Sequence, residues 1–309
     1  DGVRRMRERP VEDLVEALRT LGGGIEYEVE QGKFPLVVRG GGIQGGVSRV
    51  SGDKSSQFLS GLLLAAPYAS ERVELQVETT RQGLPYVGIT VDVMREFGVD
   101  VGVSEDYRNF VVEPGVYKGR DYFVEPDASG ASYFMAAAAV MGGRIRIPGL
   151  GSGSSQGDLR FAGVLEGMGC QVEVAVDYVE VKGPKELNGI EVDMNAFSDT
   201  MITLAAIAPF ASSPTTIKNI GHTRHQETDR ISAVATELGK LGIQVEEGPD
   251  SLHITPGRIS PGKVETYGDH RLAMAFAVMG LATPGVRIQD PGVVTKTFPD
   301  YFERLKSLG

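Results

Sequence analysis

Apolar positions spaced by three and four residues run from Val11 to Leu21 and predict a helix, which Gly22-Gly23-Gly24 stops before a strand at Ile25. Farther along, Ser132 to Val140 and Leu204 to Phe210 are small and apolar, as expected of helices packed inside a ring of sheets. Alternation across Val172-Glu173-Val174-Ala175-Val176 predicts a half-buried strand. These elements recur in one order: an extended run, an acidic or small polar knot, a small-residue helix, a β-rich stretch, a second helix, then Gly and a strand. The knots centre on Asp53, Asp127, Asp199 and Asp269, at intervals of 74, 72 and 70 residues. The second helices close at Gly98, Gly169 and Gly242, 71 and 73 residues apart, and glycine is the usual residue just past a helix C-terminus. Two independent landmarks with one period predict a repeated β-α-β-α-β-β unit of about 70 residues.

The pattern opens at the second helix of a unit and stops at Leu308-Gly309, where another unit would turn into its strand. A portion of a larger ring of units is therefore expected, with an incomplete domain over residues 1–121 and a domain of three units over 122–309. Gly115 to Tyr122 is the expected hinge. The fold class is α/β (α+β).

Composition narrows the function classes. With 309 residues, 41% hydrophobic and 23% charged, the chain has material for about two soluble domains. Its longest apolar run, near Met135 to Met141, suits a helix core and is too short to span a bilayer. Cys170 is the only cysteine, which excludes an internal disulfide and a multi-cysteine metal site. A reducing compartment follows, with the cytoplasm expected and a plastid left open. The net charge of −10 argues against nucleic-acid binding, but screening over roughly 10 Å lets a local cluster of Arg and Lys hold an anion. No Gly-x-x-x-x-Gly-Lys-Ser/Thr run occurs, and neither dinucleotide binding nor a Ser-His-Asp hydrolase is expected.

The knots hold the candidate chemistry. Ser51 to Gln57 opens an apolar helix with two hydroxyls, which serve equally as caps or as a phosphate cradle. Asp199 precedes a helix without another charge through Phe210; alone it reads as a cap, and the sharper reading is a base with a raised pKa. Glu227 and Arg230 stand three residues apart, so a carboxylate and a guanidinium can address one small volume. The plainer reading is a capped, solvated helix start. Metal binding by His222 and His225 is disfavoured, because no His-Glu-x-x-His pattern supports it. Asp269-His270-Arg271 puts a guanidinium beside free N–H groups at a helix start, an anion-binding arrangement. Lys296 reads as a surface lysine, and Arg4, Arg5, Arg7 and Arg9 as a solvated basic helix approach.

Together, the runs RMRERP (5–10), SSQFLSGLLLAAP (55–67), DASGASYFMAAAA (127–139), QGD (156–158), ETDR (227–230), GDHRLAM (268–274) and KTFPDYF (296–302) resemble the 3-phosphoshikimate 1-carboxyvinyltransferase (EPSP synthase) family of enolpyruvyl transferases. The resemblance implies two domains built from β-α-β-α-β-β units as inside-out α/β barrels, with residues 1–121 supplying about half of one. It implies transfer of the enolpyruvyl group of phosphoenolpyruvate to the 5-hydroxyl of shikimate 3-phosphate, through a tetrahedral ketal phosphate, with release of phosphate and without metal or organic cofactor. Asp199 and Glu227 would be the acid and base. Arg5, Gln57, Arg230, His270, Arg271 and Lys296 would hold phosphoenolpyruvate; Ser55, Ser56, Gln57, Tyr86, Asp199 and Gln226 would hold shikimate 3-phosphate. Many family members carry Lys where this chain has Gln226, which removes one positive charge from the sugar-phosphate side. The expected partners are the two substrates and a complementing N-terminal polypeptide, with neither nucleic acid nor membrane. The complete protein is expected to be a monomer, and this chain alone to turn over negligibly. Two other readings stay open: a non-catalytic remnant that binds anions or a partner, and a UDP-N-acetylglucosamine enolpyruvyl transferase.

Overall fold

A computed structural model describes residues 1–51, 56–78 and 84–308; Asp53, Ser55 and Gly83 lie outside the described residues. The chain divides into two compact units, Asp1–Phe123 and Val124–Gly309. One sheet topology appears in both. In the first unit, Gly46–Val50 pairs in parallel with Val73–Val77, which pairs antiparallel with Asn109–Val112, and Gly102–Val103 lies on the far side. In the second, Glu191–Asp193, Thr215–Lys218, Leu252–Ile254 and Val245–Glu247 repeat that order and those directions. A parallel pair needs a crossover, and Ser56–Ala65 and Met201–Ile207 provide it. The second helices, Leu84–Glu96 and Arg230–Lys240, precede the antiparallel pair. The predicted β-α-β-α-β-β unit is thus present twice. Portions recur in the three-stranded sheet of Arg144–Pro148, Tyr178–Lys182 and Gln171–Val174, in the parallel pair Lys263–Val264 and Arg287–Ile288, and in the pair Gly24–Tyr27 and Leu36–Arg39.

Gly98, Gly169 and Gly242 have φ of +83°, +100° and +84°, the left-handed conformation for which glycine follows each second helix. One expected strand is corrected. The strand stops at Val174 instead of running to Val176: Val172 packs against the core, while Val174 and Val176 are exposed, because the chain leaves the sheet at 175–177 to turn into Tyr178–Lys182. Residues 115–122 form neither helix nor strand and are fastened to the first unit by Gly115 N to Pro67 O (2.8 Å) and Lys118 N to Phe97 O (2.8 Å). Gly40 to Gly45 does fit Gly-x-Gly-x-x-Gly after the Leu36–Arg39 strand, and Gly153 to Gly157 fits Gly-x-Ser-x-Gly. The first runs into another strand and the second into a short 3-10 turn, so neither offers the α-helix N-terminus those chemistries use.

The core of the second unit is three mutually packed helices, Ala128–Met141, Met201–Ile207 and His270–Ala282. Five of their alanines, Ala136, Ala205, Ala206, Ala273 and Ala275, are buried completely, and small side chains let the backbones approach. Where hydroxyls enter this core they satisfy each other, Ser132 Oγ lying 3.0 Å from Thr203 Oγ1. The packing is tight beyond the helices too. A Cβ added at Gly183 would fall 2.2 Å from Ala138 O and 3.0 Å from Ala139 O, which backbone cannot yield. Gly183→Ala is therefore expected to cost about 2–3 kcal/mol by overpacking, read from the urea midpoint at constant m value.

Candidate active site

Each core helix begins at a polar knot, and their packing brings the knots together. Asp127 and Asp269 are true N-caps, accepting from Ser129 N at 2.9 Å and Arg271 N at 2.8 Å. Asp199 is not. The Met201–Ile207 helix has no side-chain cap, and the Asp199 carboxylate turns instead to two guanidiniums.

Glu227 also differs in detail from its expectation. The helix starts at Arg230 with Asp229 as its cap, through Ser232 N at 3.0 Å, so Glu227 precedes the helix instead of riding on it. Arg224 fixes this approach. Its Nη1 donates to both Asp229 oxygens at 2.9 and 2.8 Å, its Nε to Pro249 O at 2.8 Å, and its Nη2 to Gly248 O at 2.7 Å. With that turn fixed, Gln226 and Glu227 reach back over Arg230.

Arg230 is the centre of the resulting network and is 1% exposed. Its Nε donates to Asp269 Oδ2 at 2.7 Å, Nη1 to Asp199 Oδ1 at 3.0 Å and to Gln226 Oε1, and Nη2 to Glu227 Oε2 at 2.9 Å. The other Asp199 oxygen accepts from Arg271 Nη2 at 2.7 Å, and the other Glu227 oxygen from Lys296 Nζ. Charges therefore alternate along one line: Lys296, Glu227, Arg230, Asp199, Arg271. Asp269 lies beneath Arg230, so three cations face three carboxylates. The line opens toward solvent at one end, with side-chain exposure of 53% at Lys296 against 0% at Asp269. Arg271 Nε and His270 Nδ1 are buried without a hydrogen-bond partner among the described residues, although His270 Nδ1 lies 3.5 Å from Asp269 Oδ1.

Asp199 was expected to have a raised pKa. Burial does push it up, but Arg271 and Arg230 outweigh burial and hold it below the usual carboxylate range. For Glu227, too, burial is overcome by Arg230 and Lys296, which bring its pKa to about 2. Burial and then the Arg271 charge lower His270 to about 4, so it is neutral at pH 7 and adds no charge to an anion clamp. Both depressed values give stability that is complete at high pH. It is lost as pH falls from 6.5 toward 4 for His270, and from 4.5 toward 2 for Glu227. His270→Gln is expected to flatten the upper step, on the order of 2–3 kcal/mol, in urea titrations at pH 7.5 and 4.5.

Of the residues marked in the sequence, Asp199, Gln226, Glu227, Arg230, Arg271 and Lys296 meet in this network, and His270 borders it. Arg5, Ser56, Gln57 and Tyr86 belong to the first unit: Arg5 in the Arg4–Glu8 helix 3.7 Å from Glu8, Ser56 and Gln57 at the start of Ser56–Ala65, and Tyr86 in Leu84–Glu96. Ser55 falls outside the described residues. Three neighbours had no assigned role in the sequence reading. Asp269 figures there only as the centre of a knot. Tyr133 OH lies 3.5 Å from Arg271 Nη1, and His222 Nε2 lies 2.7 Å from Ser198 Oγ beside Asp199; the first has no local pattern that marks it, and the second was noticed only as a disfavoured metal ligand. Among the described residues no group of three or more His, Cys, Asp or Glu is placed to hold a metal ion, and no helix is long and apolar enough to cross a membrane.

Residues 1–305 match the family model of EPSP synthase (3-phosphoshikimate 1-carboxyvinyltransferase). The chain belongs to the EPSP synthase family. A 3-phosphoshikimate 1-carboxyvinyltransferase of Nostoc punctiforme is 53% identical over 305 residues, spanning 98% of this chain and 71% of that protein. An EPSP synthase structure from Acinetobacter baumannii superposes with a TM-score of 0.80 at 26% identity, covering 100% of this chain and 72% of the other. The enolpyruvyl transferase NikO from Streptomyces tendae shares the fold, with a TM-score of 0.74 at 20% identity over 97% of this chain and 71% of that one.

Proposed function

We propose that the chain transfers the enolpyruvyl group of phosphoenolpyruvate to the 5-hydroxyl of shikimate 3-phosphate, releasing phosphate, as its relatives' names describe. The observation that carries this reading is the alternating line from Lys296 to Arg271. It sets two carboxylates, Asp199 and Glu227, between three cations, with Arg230 and Arg271 at helix starts and Lys296 at the end of a 3-10 turn. Phosphoenolpyruvate is a compact polyanion and needs this density of donors.

The reaction adds the 5-hydroxyl oxygen to the enol carbon, moves a proton onto the methylene carbon, and then expels phosphate as a proton leaves the new methyl group. Arg271 and Lys296 are the accessible cations and take the phosphate and carboxylate of the substrate; Arg230, deeper, holds the frame. An anion that engages Lys296 and Arg271 draws them from Glu227 and Asp199. Each carboxylate then loses an opposite charge, so its pKa rises toward a range in which it can carry a proton. Substrate binding thereby converts two structural ion-pair partners into an acid and a base. Asp199 and Gln226 also serve the sugar phosphate.

Calorimetric titration tests this reading. Phosphoenolpyruvate should bind in the presence of shikimate 3-phosphate, and Lys296→Met should weaken it at least tenfold by removing a charge-assisted contact of about 1.5–3 kcal/mol. Failure of the unaltered chain to bind phosphoenolpyruvate would overturn the reading. Displacement by UDP-N-acetylglucosamine would overturn the choice of acceptor.

A further inference from the structure

Glu237 is a fully buried acid to which the reaction gives no task. It stands two turns after Arg230 on the same face of the Arg230–Lys240 helix. Its Oε1 accepts from Tyr267 OH at 2.6 Å and Lys240 Nζ at 2.7 Å, and its Oε2 from the backbone N of Glu265 at 3.1 Å. All of these donors except Lys240 belong to the strand end that feeds the Asp269-His270-Arg271 knot.

That strand end has an uncommon backbone. Tyr267 has φ +53° and Gly268 φ +72°, so two successive left-handed residues reverse the chain just before Asp269. Gly268 adopts this freely, but a tyrosine does not, and an external tie is what holds it there. Asp269 N then closes the turn onto Thr266 O at 2.8 Å, and its side chain meets Arg230 Nε at 2.7 Å. One helix thus grips the 265–271 segment twice, with Arg230 inside the charge line and Glu237 two turns away.

We propose that Glu237 and Tyr267 are a positioning pair for the anion site: their hydrogen bond holds the left-handed turn that sets Asp269 under Arg230 and Arg271 against Asp199. Neither touches substrate. The pair acts through the register of the His270–Ala282 helix start relative to the Arg230–Lys240 helix, where a shift of an ångström is enough to misalign the Arg271 guanidinium. The inference rests on the proposed anion-binding role of that line.

Tyr267→Phe is the test, because Tyr267 is 44% exposed and loss of its hydroxyl opens no core cavity. In calorimetric titrations of the chain with phosphoenolpyruvate at saturating shikimate 3-phosphate, the variant should bind about tenfold more weakly, while its urea midpoint falls by no more than the loss of one hydrogen bond to a buried carboxylate accounts for. Tyr267→Gly relaxes the backbone but lacks the tie, and should bind as weakly. Glu237→Gln keeps an acceptor and should fall between. If Tyr267→Phe lowers the urea midpoint with unchanged affinity, the pair is structural only and the inference fails, while the reading of the site stands. If the parent chain itself does not bind phosphoenolpyruvate, that reading falls and takes the inference with it.

Discussion

Arg230→Met should destabilise the second unit by about 3–5 kcal/mol, the cost of breaking a buried ion pair from one side. The damage falls on a particular carboxylate. Without Arg230, Asp199 keeps Arg271 and Glu227 keeps Lys296, both near enough to solvent to recover water. Asp269 has no such recourse: it is fully buried and retains the Arg271 amide and the neutral His270 ring. Adding Asp269→Asn to Arg230→Met should restore part of the loss, because an amide still caps the helix and carries no charge. The double-mutant cycle, read from urea unfolding at pH 7, should give a favourable coupling of at least 1 kcal/mol for residues in direct contact. Arg230→Lys should behave like Arg230→Met. One ammonium cannot span acceptors that arrive from residues 199, 226, 227 and 269 as a planar fork does. A loss below about 1 kcal/mol for Arg230→Met would show that the network is solvated, not buried.

What the sequence disclosed and what it hid divide along distance in the chain. The 70-residue repeat was legible because its landmarks are local: an acidic knot, a buried helix, a glycine that only a left-handed C-terminus requires. The half-buried strand at Val172 to Val176 was drawn too long because alternation reports a pleat and says nothing of where the covering layer ends; here Val172 packs on the core and Val174 and Val176 do not. Asp199 illustrates the harder case. Its chain neighbours make a cap the economical reading, and its actual partners, Arg230 and Arg271, lie 31 and 72 residues away. Its raised pKa failed for the same reason, since burial was visible in the apolar helix but the opposing guanidiniums were not. Glu227 and Arg230 do meet, yet the face-of-a-helix argument was only half right, because Asp229 takes the cap and Glu227 folds back from outside. Tyr133 and Glu237 could not have been found from pattern, as their contacts with Arg271 and with Tyr267 are made by tertiary packing, and His222 was noticed only as a disfavoured metal ligand.

Glu227→Gln should move affinity and turnover in opposite directions. Glu227 neutralises Lys296 and shares Arg230, so any incoming anion competes with a carboxylate already in place. The amide keeps the shape and removes the competitor, leaving one net positive charge at the open end of the line. Two unit charges about 4 Å apart interact by about 4 kcal/mol at an effective dielectric near 20. Lys296 is 53% exposed, and water and salt at that exposure leave about a third, so phosphoenolpyruvate should bind about tenfold more tightly. Turnover with both substrates, measured with the complementing N-terminal polypeptide added, should fall by roughly 10²–10⁴, the usual contribution of a proton-transfer group. Lys296→Met gives the contrast, because it loses an anion contact and frees no competitor, and both affinity and turnover should drop. This opposition separates Glu227 from a residue that merely supports Lys296. If the carboxylate only oriented the lysine, the amide would loosen it and weaken binding, and weaker binding of phosphoenolpyruvate to Glu227→Gln would defeat the assignment of Glu227 as both guard of the cations and carrier of the proton.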